Sequence, residues 1–286
     1  MSSFSVGDPN PTIGCTAIDP EDGEIKCDWT GTINTSLIGE YTIIYEATDS
    51  SNNTTTLEMT YVVLRDNTLL SIDMSAYYNN AEGLYGQALL EALRTIIQTG
   101  ATINSYDAAI TILQSSDEDP DNSNNILLVY SGYSVPKTWD GGATWNREHV
   151  WPQSLLNGAT ANDAHNLKPV NPGFNSSRGN KYFDDVGGTQ SYVPRDEVKG
   201  DVARILFYMI VMYQQLELIN GTPIDGQMAM LDTLIRWHET DLVDIFEQNR
   251  NNVIFSFQNN RNPFIDYPHL LELLFFDNPY YQNLIS

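Results

Sequence analysis

Two stretches in the middle of the chain hold the residue types that phosphate-ester hydrolysis requires. They read WNREHVWPQS over residues 145–154 and NDAHNLKPVNPGFNSSRGNKYF over residues 162–183. Only four histidines occur in the chain, and two of them, His149 and His165, fall here. An imidazole can deprotonate water, carboxylate and amide oxygens are hard donors suited to a Mg²⁺-like cation, and a guanidinium can hold a phosphate. In such chemistry water attacks phosphorus while a metal ion offsets charge on the phosphate and on the leaving 3′-oxygen.

Bland readings stand beside this one. Asn175 heads an Asn-Ser-Ser sequon and could cap the following turn. Trp145 and Trp151 either stack on bases or pack in the core, the commoner fate of a Trp beside an active strand. His238 and His269 sit in helical segments away from the motifs and read as structural. The run Asp117-Glu118-Asp119-Pro120-Asp121-Asn122 places carboxylates at alternate positions as a calcium loop does. It lacks Gly at the sixth position and Glu at the twelfth, so it reads as a solvated acidic loop.

The elements that must position these groups follow from periodicity. Residues 41–47 and 57–63 alternate apolar and polar side chains and predict two half-buried strands, joined by the turn chemistry of residues 49–53. From about Asn67 the period changes. Leu89, Leu90, Leu93, Ile96 and Ile97 recur at helical spacing before Gly100, a second helix is expected over 106–114, and a short buried strand over 126–131. Val198, Val202, Ile205, Leu206, Met209, Tyr213 and Leu216 mark one face of a long helix started by Pro194 and Asp196. Further helices are expected near 228–237, 242–257 and 268–276. Adjacent residues of a regular strand point to opposite faces, so Glu148 and His149 can serve one phosphate only if a bend or bulge intervenes near the strand end; Pro152 is consistent with one.

With 286 residues, 41% of them apolar, the chain can bury a substantial core and is not disordered. No apolar stretch approaches the roughly 20 residues that cross a bilayer. The first residues lack a basic n-region and an apolar h-region, so location must be inferred from other features. Cys15 and Cys27, the only cysteines, form either a disulfide closing a short loop or two buried thiols; residues 1–66 contain no His to complete a zinc site. The formal charge of −23 opposes approach to a polyanion. The segment 145–204 is nevertheless neutral, with seven basic and seven acidic residues, and the acidic surplus lies wholly outside it.

The catalytic stretch resembles the endonuclease I family of the ββα-metal (His-Me finger) nucleases, near the secreted ribonucleases of Gram-positive bacteria. The resemblance rests on WNREHVWP, DAHNL, FNSSRGN, KGDVARILFYM (199–209) and NRNPFIDYPHL (260–270), in that order. Carried over by motif, it implies that His149 is the general base, that Glu148 and Asn175 are the protein's metal ligands, and that water fills the remaining coordination positions. Arg178, one turn beyond Asn175, would clamp a phosphate oxygen. Asp163, His165 and Asn166 match the family's D-x-H-N element and would orient the site through hydrogen bonds. The implied cofactor is Mg²⁺, with Mn²⁺ or Ca²⁺ as substitutes.

The segment GEYTIIYEATDSSNNT resembles immunoglobulin-like modules of bacterial surface and secreted proteins. The expected fold is therefore two domains: an all-β immunoglobulin-like sandwich over residues 1–66, then a mainly helical α+β nuclease domain with a ββα-metal motif over residues 67–286. The expected function is that of a secreted or cell-surface, largely sequence-nonspecific endonuclease. Its substrate is nucleic acid, DNA or RNA or both, its products carry 5′-phosphate ends, and residues 1–66 serve as a spacer or a cell-envelope contact. The alternative is a surface-binding or adhesive protein carrying an inactive nuclease-like scaffold.

Overall fold

The computed structural model describes residues 2–284. Its contacts divide the chain into two compact units, residues 1–87 with 272–286 and residues 88–271.

The first unit is built on a four-stranded sheet and a separate hairpin. Its strands are β1 Ser2–Ser5, β2 Ala17–Asp19, β3 Gly23–Ile25, β4 Cys27–Thr30, β5 Gly39–Thr48 and β6 Thr54–Leu64. The sheet order is β1-β6-β5-β4, with β1 parallel to β6 and the rest antiparallel, while β2 and β3 form the hairpin. Strands β5 and β6 pair without interruption from Gly39 opposite Val63 to Thr48 opposite Thr54. The turn between them is held by Asp49, whose Oδ1 accepts the backbone N–H groups of Ser51 and Asn53 at 2.8 and 2.7 Å. Alternation along the strands carries Ile43 and Val63 into a core with Ile33, flanked by Phe4, Tyr41, Tyr45 and Tyr61. Cys15 and Cys27 are joined by a disulfide.

The second unit contains most of α1 Gly86–Gln98, then α2 Ala108–Ser116 and a small sheet of β7 Glu118–Asp119, β8 Asn122–Leu127 and β9 Ser134–Pro136. Next come the paired strands β10 Asn146–His149 and β11 Leu167–Val170, then α3 Pro172–Arg178. The larger helices α4 Lys199–Met212, α5 Leu231–Thr240 and α6 Ile245–Gln258 follow, with short strands and a short helix, Pro263–Asp266, besides. In α1 the helical repeat buries Leu89, Leu93 and Ile97 on one face. Ala109 and Leu113 of α2 pack with Ile126, Leu128, Trp145 and Leu167, which seats the β10–β11 pair on the core. Among the described residues no helix is long and apolar enough to cross a membrane.

Several elements depart from expectation. The strand expected over 126–131 ends at Leu127, because the chain turns back through Gly132 at φ 67° to place β9 against β8. The long helix stops at Met212, where Tyr213 is extended. The acidic run after α2 is not a solvated loop. Asp117 is fully buried, with Lys168 Nζ at 2.8 Å and Arg250 Nε at 3.1 Å, and the Asp119 carboxylate is engaged by Ser134. Carboxylates tied up in this way are not free to ligate calcium.

Candidate active site

Strands β10 and β11 run antiparallel in plain register, Asn146 opposite Val170, Glu148 opposite Lys168 and His149 opposite Leu167. No bulge interrupts the pair. Glu148 and His149 share a site because one depression of about 790 Å³ is lined by all of residues 146–149, so both faces of the strand end reach it. Helix α3 starts directly after β11: the Asn171 side chain accepts the Gly173 N–H at 2.9 Å and Pro172 supplies a helical φ at the first turn. The helix thereby brings Asn175 and Arg178 to the same depression.

His149 is oriented from behind. Its Nε2 lies 3.0 Å from the Ala161 carbonyl, which can only accept, so Nε2 carries the proton and Nδ1 is left as the basic nitrogen. The ring stacks against Tyr106 at 5.8 Å with 16° between planes. Burial, reinforced by the nearby cations of Arg147 and Arg178, lowers its pKa to about 4 against the opposing bond to Ala161, and the ring is neutral around pH 7.

Glu148 is 1% exposed. Tyr130 Oη donates to its Oε1 at 2.7 Å and Arg178 Nη1 stands 3.0 Å from the same oxygen. Oε2 takes no hydrogen bond from the described residues. Burial pushes this carboxyl above its ordinary range, and Arg178 and the Tyr130 hydroxyl oppose the rise. Asn175 Nδ2 donates to Asn146 Oδ1 at 2.8 Å and to the Arg147 carbonyl at 3.4 Å, which leaves its own Oδ1 unengaged by the described residues. One carboxylate oxygen and one amide oxygen, both hard donors, thus take no hydrogen bond from the described residues, and their side chains line the same depression as a neutral imidazole. That donor set fits a Mg²⁺-type ion completed by water. Among the described residues no cluster of three or more His, Cys, Asp or Glu is placed to hold a metal ion.

Arg178, expected to clamp a phosphate oxygen, is turned into the protein. Its guanidinium is 1% exposed, donates to the carbonyls of His149 (2.7 Å) and Val150, pairs with Glu148 and packs 4.7 Å from the Phe183 ring. This fork of donors ties the strand end to the Glu148 carboxylate. Arg147 is the guanidinium at the surface of the depression: it lies 3.4 Å over the Tyr106 ring, near Trp139, and donates to the Tyr106 carbonyl.

The D-x-H-N element lies beneath the site, wholly buried. Asp163 Oδ1 accepts from the His165 N–H and from Gln258 Nε2, each at 3.0 Å, and Oδ2 accepts from Tyr208 and Tyr213 hydroxyls, each at 2.8 Å. Asn166 pairs with the Trp151 backbone in both directions, at 2.7 and 3.1 Å, fixing the chain just past His149. The His165 ring contacts the Asn260 carbonyl at 3.3 Å and the Tyr208 ring, and burial lowers its pKa to about 4. Trp145 and Trp151 are fully buried. Tyr106, Tyr130, Trp139 and the Ala161 carbonyl contact these side chains although no motif pointed to them, and Asn146 lies inside WNREHVWP without having been singled out.

The family Endonuclease I covers residues 86–193 and 187–269. The chain belongs to the endonuclease I family. It is a nuclease acting on phosphodiester bonds, preceded by an immunoglobulin-like module: residues 2–62 match the family "Bacterial surface protein, Ig-like domain". It is 43% identical over 224 residues to an extracellular ribonuclease of Bacillus amyloliquefaciens, spanning 69% of this chain and 77% of that protein. It is 41% identical over 226 residues to an extracellular ribonuclease of Bacillus subtilis (strain 168), spanning 68% and 77%.

Proposed function

We propose that this endonuclease I protein is a secreted or surface-held, metal-dependent nuclease of low sequence specificity that cleaves by general-base hydrolysis. The observation that carries the reading is the convergence of His149, with Nδ1 free and the ring neutral, and the open oxygens of Glu148 and Asn175 on one depression. The unit β10–β11–α3 serves as the ββα-metal motif. Nδ1 of His149 takes the proton from water as it attacks phosphorus, and the bond to Ala161 stabilises the imidazolium that forms. Glu148 and Asn175 hold a Mg²⁺-type ion, which when bound offsets the negative charge that develops on the phosphate and leaving oxygen. Tyr130 and Arg178 keep Glu148 aimed, and cleavage leaves 5′-phosphate and 3′-hydroxyl ends.

None of these groups needs a ribose 2′-hydroxyl, so DNA and RNA are both competent; the names of the Bacillus relatives favour RNA. The same names and the surface-type module support an extracellular setting and a cell-envelope role for residues 1–66. The assembled site gives the inactive-scaffold alternative no support.

Cleavage of matched plasmid DNA and RNA, with Mg²⁺ and with chelator, tests the reading. Wild type cuts only with the metal. His149→Ala lowers the rate by about 10²–10⁴ while metal binding persists. Glu148→Ala instead raises the metal concentration required. No cleavage with any divalent ion, or equal loss of both properties in both variants, counts against it.

A further inference from the structure

A second depression of about 440 Å³ adjoins the catalytic one, sharing Arg178, Gly179 and Asn180 with it. Ser176, Ser177, Lys181, Tyr182, Gln190 and Thr222 are among its lining, and no carboxylate is. That is unexpected where Asp and Glu outnumber Lys and Arg by 37 to 14.

Lys181 makes the depression distinctive. Among the described residues every other Lys and Arg except Arg94 forms an ion pair with a carboxylate. Arg94 donates to the carbonyls of Val211 and Ile210. Lys181 does neither: its ammonium has no carboxylate and no hydrogen-bond partner among the described residues, although the side chain is half-buried. A cation kept clear of acids in an acidic protein, one step from a phosphodiester-cleaving centre, presents local positive potential where the polyanion must pass.

We propose that this depression is a subsite for a nucleotide flanking the scissile phosphodiester, with Lys181 contacting that nucleotide's phosphate. The inference rests on the nuclease reading and adds to it a second anchoring point for the strand. The volume lies within the roughly 300–1,000 Å³ of small-ligand pockets, enough for one nucleotide. The Ser, Thr and Gln side chains offer neutral donors and acceptors to sugar and base edges. Lys181 is a point charge that reads no base, which suits low sequence specificity.

Binding of a labelled single-stranded hexanucleotide to the full chain in chelator, followed by fluorescence anisotropy across salt concentrations, tests this without turnover. Lys181→Ala weakens binding about five- to tenfold and Lys181→Glu more, whereas Lys181→Arg holds close to wild type. The slope of log affinity against log salt falls by about 0.7 when this single phosphate contact is lost. Lys26→Ala, which removes a charge from the immunoglobulin-like unit, changes neither quantity. Unchanged affinity and slope in both Lys181→Ala and Lys181→Glu overturn the subsite, as does equal weakening by Lys26→Ala. Adding Mg²⁺ to wild type reads cleavage separately, so a missing subsite and a missing nuclease activity give different results.

Discussion

The Arg178 guanidinium stands 3.0 Å from the Glu148 carboxylate, both nearly sealed from solvent, and the same guanidinium holds the carbonyls of His149 and Val150. A buried ion pair that loses one partner strands the other, at a cost of about 3–5 kcal/mol. Arg178→Ala is therefore expected to destabilise the catalytic unit by that order in urea unfolding. It should also lower kcat and raise the metal requirement, since Glu148 loses its brace. Arg178→Lys keeps the charge but cannot span three acceptors, and falls between. A raised KM for nucleic acid with stability and metal requirement unchanged would instead return Arg178 to the role of phosphate clamp.

Acid should weaken the fold through its buried histidines. His238 Nε2 donates to the Pro268 carbonyl at 3.1 Å, and burial first, then the Arg204 cation, lowers its pKa to about 3. The unfolded chain titrates this group near its ordinary ~6.5. Between those values the unfolded state binds the proton and the native state does not, so the stability from His238 is complete above about pH 6.5 and is lost as pH falls toward 3. Glu247 works the other way: burial, then repulsion from Asp201, raises it to about 7, so its contribution is complete below its ordinary value and is lost as pH rises through 7. The two slopes oppose each other between about pH 4.5 and 6.5. A difference measurement separates them. His238→Gln keeps an N–H donor without the titration, and its unfolding free energy should fall less on acidification than wild type, by up to about 1.4 kcal/mol per pH unit. Parallel stability–pH profiles for the two proteins would show that His238 is not the group responsible.

The chemistry was more legible in the sequence than its support. The family resemblance singled out Glu148, His149 and Asn175, and the structure brings all three to one depression. The burial of Arg178 was not legible, because helical spacing tells which residues share a face of α3, not whether that face meets solvent or the underside of a strand. Of the bend or bulge expected near the strand end, the structure has the bend: β10 pairs in plain register to His149, where it ends, and the chain bends at Val150 and Trp151, while the depression takes in both faces of the strand end. Tyr106, Tyr130 and Trp139 come from separate upstream segments, and their approach depends on packing that no local pattern encodes. The Ala161 carbonyl that sets the His149 tautomer is backbone and leaves no side-chain signature. In the immunoglobulin-like unit the period-two pattern located β5 and β6 well. In the helical unit amphipathic spacing found the helices but not their ends, because the stop of α4 at Met212 is made by an extended Tyr213 whose hydroxyl serves Asp163.

Cys15 and Cys27 close a loop of sequence separation 12 in the immunoglobulin-like unit, while every residue assigned to the catalytic site falls within 88–271. Cross-linking a loop of that length restricts the unfolded chain and contributes about 3 kcal/mol in the chain-entropy model. The N-terminal unit has a modest core around Ile33, Ile43 and Val63, so a loss of this size is a large share of what a small domain holds. Replacing both cysteines by Ser should lower the melting temperature of the transition that reports on this unit and leave kcat and KM for nucleic acid at lower temperatures as in wild type. Thermal circular dichroism alongside a cleavage assay on the full chain, with and without reductant, makes the comparison. Reductant should shift the wild-type transition to that of the double Ser variant and have no effect on the variant itself. A drop in activity parallel to the drop in melting temperature would mean that the catalytic unit depends on the N-terminal one for its own order.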